Sequence, residues 1–198
     1  IRGSAGSCLL CFLMAITNID PIKESISLSR FMHEDRQDIP DIDIDFPSHL
    51  RDDIYKKIFT KWENKVARIS NHIMYKEKSA YREAIRNEGY RKFVPREYDL
   101  KDIFDDKEKV NNVKKKAEEL IGSFRCYSLH CGGIVIFPAN VPENLILREY
   151  DVDKSGFKGT QIWMNKDQVE DADMIKIDVL SNRGLSQLWG ISKKPIIE

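Results

Sequence analysis

The sequence predicts a mixed α/β fold of the α+β kind, and three observations predict it. Residues 40–46 alternate acidic and large apolar side chains, Pro-Asp-Ile-Asp-Ile-Asp-Phe. Residues 174–180, Met-Ile-Lys-Ile-Asp-Val-Leu, alternate in the same way. The long stretch between them carries apolar residues mainly at helical spacing. A period of two marks a strand with two unlike faces, and a period near 3.6 marks an amphipathic helix.

The elements follow in order. Residues 2–7, Arg-Gly-Ser-Ala-Gly-Ser, form a small-residue turn that feeds the apolar segment from Cys8 to Ile16. Such a turn at a helix start caps the helix, and its backbone N–H groups can also cradle a phosphate. Asp20-Pro21 ends the segment, and residues 22–39 read as a connector with a short helix around Leu28–Phe31. After the acidic strand, Ser48 is placed to cap a helix whose stripe is Leu50, Ile54, Ile58 and Trp62, widened by Tyr55 and Phe59. Val66–Ile69 is a short strand. Met74 to Glu88 reads as a helix stopped by Gly89. Residues 90–122 predict one or two further helices, clearest over Lys107–Leu120. Gly132-Gly133 then leads into a strand over Ile134–Phe137 that Pro138 ends, and residues 139–159 read as a loop-rich excursion. In the last strand Ile175, Ile177 and Val179 share one face, and Lys176 and Asp178 the other.

Bulk properties set limits. The 198 residues suffice for one domain with a core or for two small lobes. With 41% hydrophobic and 32% charged residues, a soluble globular chain is expected, and free thiols would fit a reducing compartment such as the cytoplasm. No apolar run approaches the roughly 20 residues of a membrane span. The absence of an initiator Met points to a piece of a larger protein. Net charge is zero, yet residues 51–122 hold 19 basic and 14 acidic side chains, a net of +5, which leaves −5 for the rest. A basic middle is either a polyanion-binding lobe or a set of solvated helix faces. Of the four cysteines, Cys8 and Cys11 have C-x-x-C spacing inside an apolar run without the turn residues of a zinc knuckle, and four residues separate Cys126 from Cys131. Buried free thiols are expected rather than a zinc site.

The carboxylates carry the chemistry. On a strand, Asp41, Asp43 and Asp45 project together while Ile42, Ile44 and Phe46 enter a core. Like charges on one face repel, and either solvent or a hard cation such as Mg²⁺ compensates them. A calcium EF-hand loop is not expected, because Phe46 and Asp52 stand where that loop needs Gly and Glu. A Gly/Ser turn, two carboxylates on one strand and a third on another suit metal-assisted phosphoryl or nucleotidyl transfer.

The chain also resembles a known family. Residues 2–7, Ile16-Thr-Asn-Ile-Asp-Pro21, Arg30-Phe31, the acidic heptapeptide, His130-Cys-Gly-Gly-Ile-Val-Ile136, Thr160-Gln161 and Ile175-Lys-Ile-Asp178 stand in the order found in bacterial C-family replicative DNA polymerases, the alpha subunit of DNA polymerase III. The resemblance runs from residue 2 to about 185. It implies a nucleotidyltransferase palm of the polymerase beta type, a mixed sheet backed by helices, with an inserted helical thumb. The expected division is palm over 1–78, thumb over 79–122 and palm again over 123–198.

The same resemblance implies Asp43, Asp45 and Asp178 as catalytic residues holding two Mg²⁺ ions, with Mn²⁺ as a substitute, and Asp41 in a supporting role. It implies Gly3, Ser4, Gly6 and Ser7 as the triphosphate-binding turn, and Arg2, Lys78, Arg82, Arg125, His130 and Lys176 as basic contacts. The implied partners are primer-template DNA, a dNTP, the remaining polymerase domains and a sliding clamp, with no membrane. Leu129, Ser181-Asn182 and a longer stretch between Gln161 and Asp178 depart from the family pattern and fit a divergent or virus-encoded branch. Two other classes compete: a template-independent nucleotidyltransferase on the same fold, and a non-catalytic binding or assembly module.

Overall fold

A computed structural model describes residues 4–27 and 42–192. The short helix expected around Leu28–Phe31, together with Asp41, Arg2 and Gly3, lies outside the described residues. The described chain divides into two compact units, one from the residues up to 71 and from 129 onward, the other from residues 72–128.

The larger unit is organised by a six-stranded mixed sheet. In chain order the strands are β1 (Ile42–Pro47), β2 (Val66–Met74), β3 (Phe124–Ile136), β4 (Ile146–Asp151), β5 (Lys158–Ile162) and β6 (Lys176–Asn182). Their spatial order is β1-β6-β3-β2-β5-β4. β1 runs parallel to β6 and β2 parallel to β5, while β3–β6 and β4–β5 are antiparallel. The helices of this unit are α1 (Leu9–Leu13), α2 (Arg51–Trp62), α6 (Lys166–Asp171) and α7 (Arg183–Ser192).

Alternation sorts the strand residues into two cores. Against one face packs α2, whose Tyr55 and Phe59 are buried among Val66, Ile134 and Val179, with Phe46, Ile54, Ile58, Trp62 and Ile177 around them. The opposite face gathers Ala67, Ile69, Val135, Phe137 and Ile162 beneath Val169 of α6. The stripe predicted for α2 is present, but its buried centre is Tyr55 and Phe59, with the Ile54 and Ile58 rows on the flank.

Several boundaries differ from the sequence reading. β2 extends to Met74, and the following helix α3 spans Glu77–Asn87, so Met74 ends a strand rather than starting a helix. Gly89 follows that helix at φ +94, a conformation that favours glycine. β3 begins ten residues before Ile134, at Phe124. The region expected to be a loop-rich excursion contains β4 and most of a hairpin with β5. Its strands were hidden because β4 carries Arg148, Glu149 and Asp151 on an edge that does not need a full apolar face. Ser48 opens a 3-10 turn ahead of α2 without capping it, and its hydroxyl meets Asn182 and Ser186 instead. All four cysteines are free, but only Cys8 is buried, and Cys126 and Cys131 are exposed.

The turn after β4 is tied to α2 by Asp153. Its carboxylate takes an ion pair from Lys56 and accepts from the Ser155 backbone N–H and hydroxyl. These donors hold its pKa down at about 2, led by the Lys56 bond. A lowered carboxylate pKa contributes stability that is present above the unfolded value near 3.8 and is lost as pH falls toward 2. Asp153→Asn should therefore lower the urea midpoint at about pH 6, with the gap to wild type closing at about pH 2.

The second unit is helical. α3 and α5 (Lys107–Leu120) enclose a core of Ala80, Ala84, Ile85, Val110, Val113 and Ala117, joined by Val94 and by Leu100 of the short α4 (Leu100–Ile103). Asp99 and Asp106 cap α4 and α5 through the N–H groups of Lys101 and Glu108. The helix predicted over Lys107–Leu120 has those bounds.

Candidate active site

The parallel pairing of β1 and β6 sets Asp43 directly beside Asp178. Neighbouring strands lie about 4.8 Å apart, so the two Cα atoms are about 5 Å apart with their side chains on one face. Asp45 follows two residues along that face, beside Leu180. The intervening Ile42, Ile44 and Phe46 pair with Ile177, Val179 and Ser181 on the α2 face. The apolar alternation therefore fixes which way the aspartates point: a slip of one residue would bury them against Tyr55 and Phe59.

Like charges on adjacent positions of one sheet face repel. Part of the compensation is internal. Lys176, two residues back on the same face, donates from Nζ to Asp178 Oδ2 at 2.8 Å. Both side chains are largely buried, at 9% and 13% exposure, so this pair is poorly screened. The other oxygen, Asp178 Oδ1, is buried and accepts no hydrogen bond among the described residues. Its neighbour is His130 Nδ1 at 3.6 Å.

That contact is not an ion pair. His130 Nδ1 accepts the backbone N–H of Gly133 at 2.8 Å and of Gly132 at 3.3 Å. A ring nitrogen that accepts bears a lone pair, so the neutral ring carries its proton on Nε2. Burial pushes the His130 pKa below its usual value. Asp178 pulls the other way, and Lys176 and Arg68 lower it further. Two acceptors, Nδ1 and Asp178 Oδ1, thus face one another. Gly133 is required for this approach: a Cβ there would lie 2.8 Å from His130 Nδ1 and 2.6 Å from Ile69 Cδ1.

The small-residue turn, Ser4–Ser7, is one turn of 3-10 helix that packs on β1 and leads through Cys8 into α1. Gly6 is buried, and its carbonyl accepts from the hydroxyl of buried Thr17 at 3.3 Å. The helix it feeds stops at Leu13, short of the predicted apolar run, and Leu10, Leu13 and Met14 stay exposed. Lys78, Arg82 and Arg125 belong to the second unit. Lys78 and Arg82 stand one turn apart on α3, and Lys78 lines a cavity of about 530 Å³ with Tyr81, Arg96, Tyr98 and Lys114. Arg125 lies over the Tyr75 ring at 5.7 Å.

Sequence reading missed Arg51, Tyr55 and Arg68, which contact the backbone of residues 130–132. The available signal was a charged residue, Arg68, in the otherwise apolar Val66–Ile69 strand. Such a charge is buried only with partners.

The donor set fits a hard cation in its chemistry. It consists of carboxylate oxygens on one face, one of them buried and lacking a hydrogen-bond donor. Among the described residues no three His, Cys, Asp or Glu side chains form a ready-made metal cluster. The Lys176 ammonium already lies against Asp178, where added positive charge would have to share the carboxylate.

Residues 1–181 match the family described as the bacterial DNA polymerase III alpha NTPase domain. The chain belongs to this family. The matched residues include Asp43, Asp45, His130, Lys176 and Asp178, so the paired-carboxylate face lies wholly within the DNA polymerase III alpha NTPase domain. Among curated relatives, the chain is 33% identical over 180 residues to an error-prone DNA polymerase of Corynebacterium diphtheriae, covering 90% of this chain and 17% of that protein. It is 29% identical over 191 residues to one of Corynebacterium glutamicum, covering 96% and 17%. It is 30% identical over 200 residues to one of Bdellovibrio bacteriovorus, covering 91% and 18%. The chain thus spans less than a fifth of the length of these relatives. Just past the matched residues, Asn182 Oδ1 accepts the Leu185 N–H and caps α7.

Proposed function

We propose that this chain is the palm, with an inserted thumb, of a DNA-directed DNA polymerase that transfers a nucleotidyl group from a dNTP to a primer 3′-hydroxyl. The observation that carries the reading is the in-register pairing of Asp43 with Asp178 on the face opposite α2. The names of the relatives, error-prone DNA polymerases, support the reaction class.

Asp43, Asp45 and Asp178 would hold two Mg²⁺ ions, which when bound supply Lewis acidity at the hydroxyl and charge neutralisation at the triphosphate. Lys176 keeps a positive charge beside Asp178, and His130 offers an Nε2–H donor for a phosphate oxygen. The Ser4–Ser7 turn presents backbone N–H groups suited to the triphosphate tail. Residues 79–122, within the helical second unit, serve as the thumb and hold the duplex through phosphates, because a replicative polymerase accepts any sequence. Primer-template DNA, a dNTP, the remaining polymerase domains and a sliding clamp complete the set of partners.

Mn²⁺ titration of the ¹⁵N-labelled chain tests the site. Paramagnetic broadening should be strongest at the amides of residues 43–45 and 177–179, and Asp43→Asn should abolish it. Broadening centred elsewhere, or unchanged in Asp43→Asn, would remove the catalytic assignment. For the thumb, charge reversal at exposed Lys114, Lys115 and Lys101 in the full-length polymerase should weaken binding to primed DNA. It should also flatten the salt dependence, by roughly one unit of slope for each phosphate that is no longer neutralised. An unchanged slope would make these residues ordinary solvated surface.

A further inference from the structure

The backbone of His130, Cys131 and Gly132 is held from the α2 side by three side chains. Arg68 Nη2 donates to the His130 carbonyl. Arg51 Nη2 donates to the Cys131 carbonyl at 3.0 Å. The Tyr55 hydroxyl lies 3.0 Å from the Gly132 carbonyl and 3.2 Å from that of Val179. Ladder pairing between β3 and β6 covers only Gly133 to Val135 opposite Lys176 to Asp178, so these carbonyls stand beyond it.

Arg68 is the unusual member. It is 4% exposed, and its guanidinium lies 4.5 Å from the Tyr55 ring centroid and 5.8 Å from that of Tyr150. Two aromatic faces and a carbonyl stabilise the buried guanidinium, which has no carboxylate ion pair among the described residues. A strand core that needed only volume would use Leu or Met there, since burying a charge for packing alone is unfavourable.

Residues 130 and 133 are three apart, yet His130 Nδ1 lies beside both Asp178 and the Cβ position of Gly133, the residue that pairs with Asp178, so both face the Asp178 side of the sheet. Regular alternation would put them on opposite faces. The segment between them is bent, and the three side-chain donors hold the bend.

We propose that Arg68, Tyr55 and Arg51 are positioning residues for His130: by binding the carbonyls of residues 130–132 they fix the bend that turns the Gly132 and Gly133 N–H groups onto His130 Nδ1, locking the ring as the Nε2–H tautomer beside Asp178. The use of that ring toward a triphosphate rests on the polymerase reading above, but the positioning itself does not. Sequence position alone would not link the residues, because Tyr55 bonds a carbonyl 77 positions away and Arg68 one 62 positions away.

Long-range ¹H–¹⁵N correlation of the histidine side chains in the intact chain, in mildly alkaline buffer, reads the tautomer. Wild-type His130 should show one protonated Nε2 and one unprotonated Nδ1. Tyr55→Phe removes only the hydroxyl, and Arg68→Met replaces the guanidinium by similar volume. In both, the two ring ¹⁵N signals should move toward each other as the tautomers mix, while the amide spectrum stays folded. Arg68→Lys, which keeps a donor, should retain more of the wild-type separation than Arg68→Met.

A wild-type ring protonated on Nδ1 would overturn the proposal. So would ring signals unchanged in folded Arg68→Met. If Arg68→Met does not fold, Tyr55→Phe decides by the same criterion. The Mn²⁺ titration is read separately. If it fails while the tautomer responds as expected, the polymerase assignment falls and the positioning stands.

Discussion

On the proposed function, Asp178→Asn in the full-length protein is expected to lower nucleotidyl transfer by about 10²–10³-fold or more, the scale seen when one preorganised electrostatic group is removed from a reacting centre. Asp178 lies beside Asp43 across two parallel strands, and its Oδ1 is buried without a hydrogen-bond donor among the described residues. Asn keeps the shape and can still accept from Lys176, but it removes the negative charge that a hard cation requires. Stability should change little, because losing the charge partner of Lys176 is offset by relief of the repulsion with Asp43. Single-turnover primer extension, with thermal melts alongside, checks both parts. Activity within a fewfold of wild type would remove Asp178 from the mechanism. A collapse in melting temperature would make the loss of activity uninformative and would assign the residue to the fold.

Gly133→Ala should destabilise the chain by about 1–3 kcal/mol, the range for overpacking a filled interior. The new Cβ would meet Ile69 Cδ1 at 2.6 Å and His130 Nδ1 at 2.8 Å. Ile69 is fully buried among Ala67, Val135 and Ile162, so it has little room to retreat. His130 is the softer neighbour, and the ring should yield first, losing its bonds from the Gly132 and Gly133 N–H groups. A chain of this size shifts its midpoint by about 2–4 °C per kcal/mol, so a drop of a few to about 10 °C is expected in a thermal melt. An unchanged melting temperature would mean that β3 and β2 are not as close as the structure places them.

The alternation of residues 42–46 and 176–179 is a property of sequence alone, because a strand with one face against a core must repeat every two residues. It determined that Asp43 and Asp45 share one face of their strand and that Lys176 and Asp178 share one face of theirs. The capped, 3.6-periodic stretch Lys107–Leu120 was determined equally locally. Regions whose faces are completed by distant partners were not. β4 is a charged edge strand, the first ten residues of β3 are mostly exposed or half-buried, and neither carries a strong period of its own. A lone charge in the apolar Val66–Ile69 strand flags Arg68 as unusual, but the local pattern does not name its partners, since Tyr55, His130 and Tyr150 come from three other elements. That Asp43 stands beside Asp178 depends on which strands pair and in what register, and no local pattern encodes the pairing of segments 135 residues apart. Short-range periodicity sets which side chains face the same way. Long-range packing of β1, β6 and β3 decides which of them meet, because only burial of Ile44, Ile134 and Val179 against α2 selects one register over its neighbours.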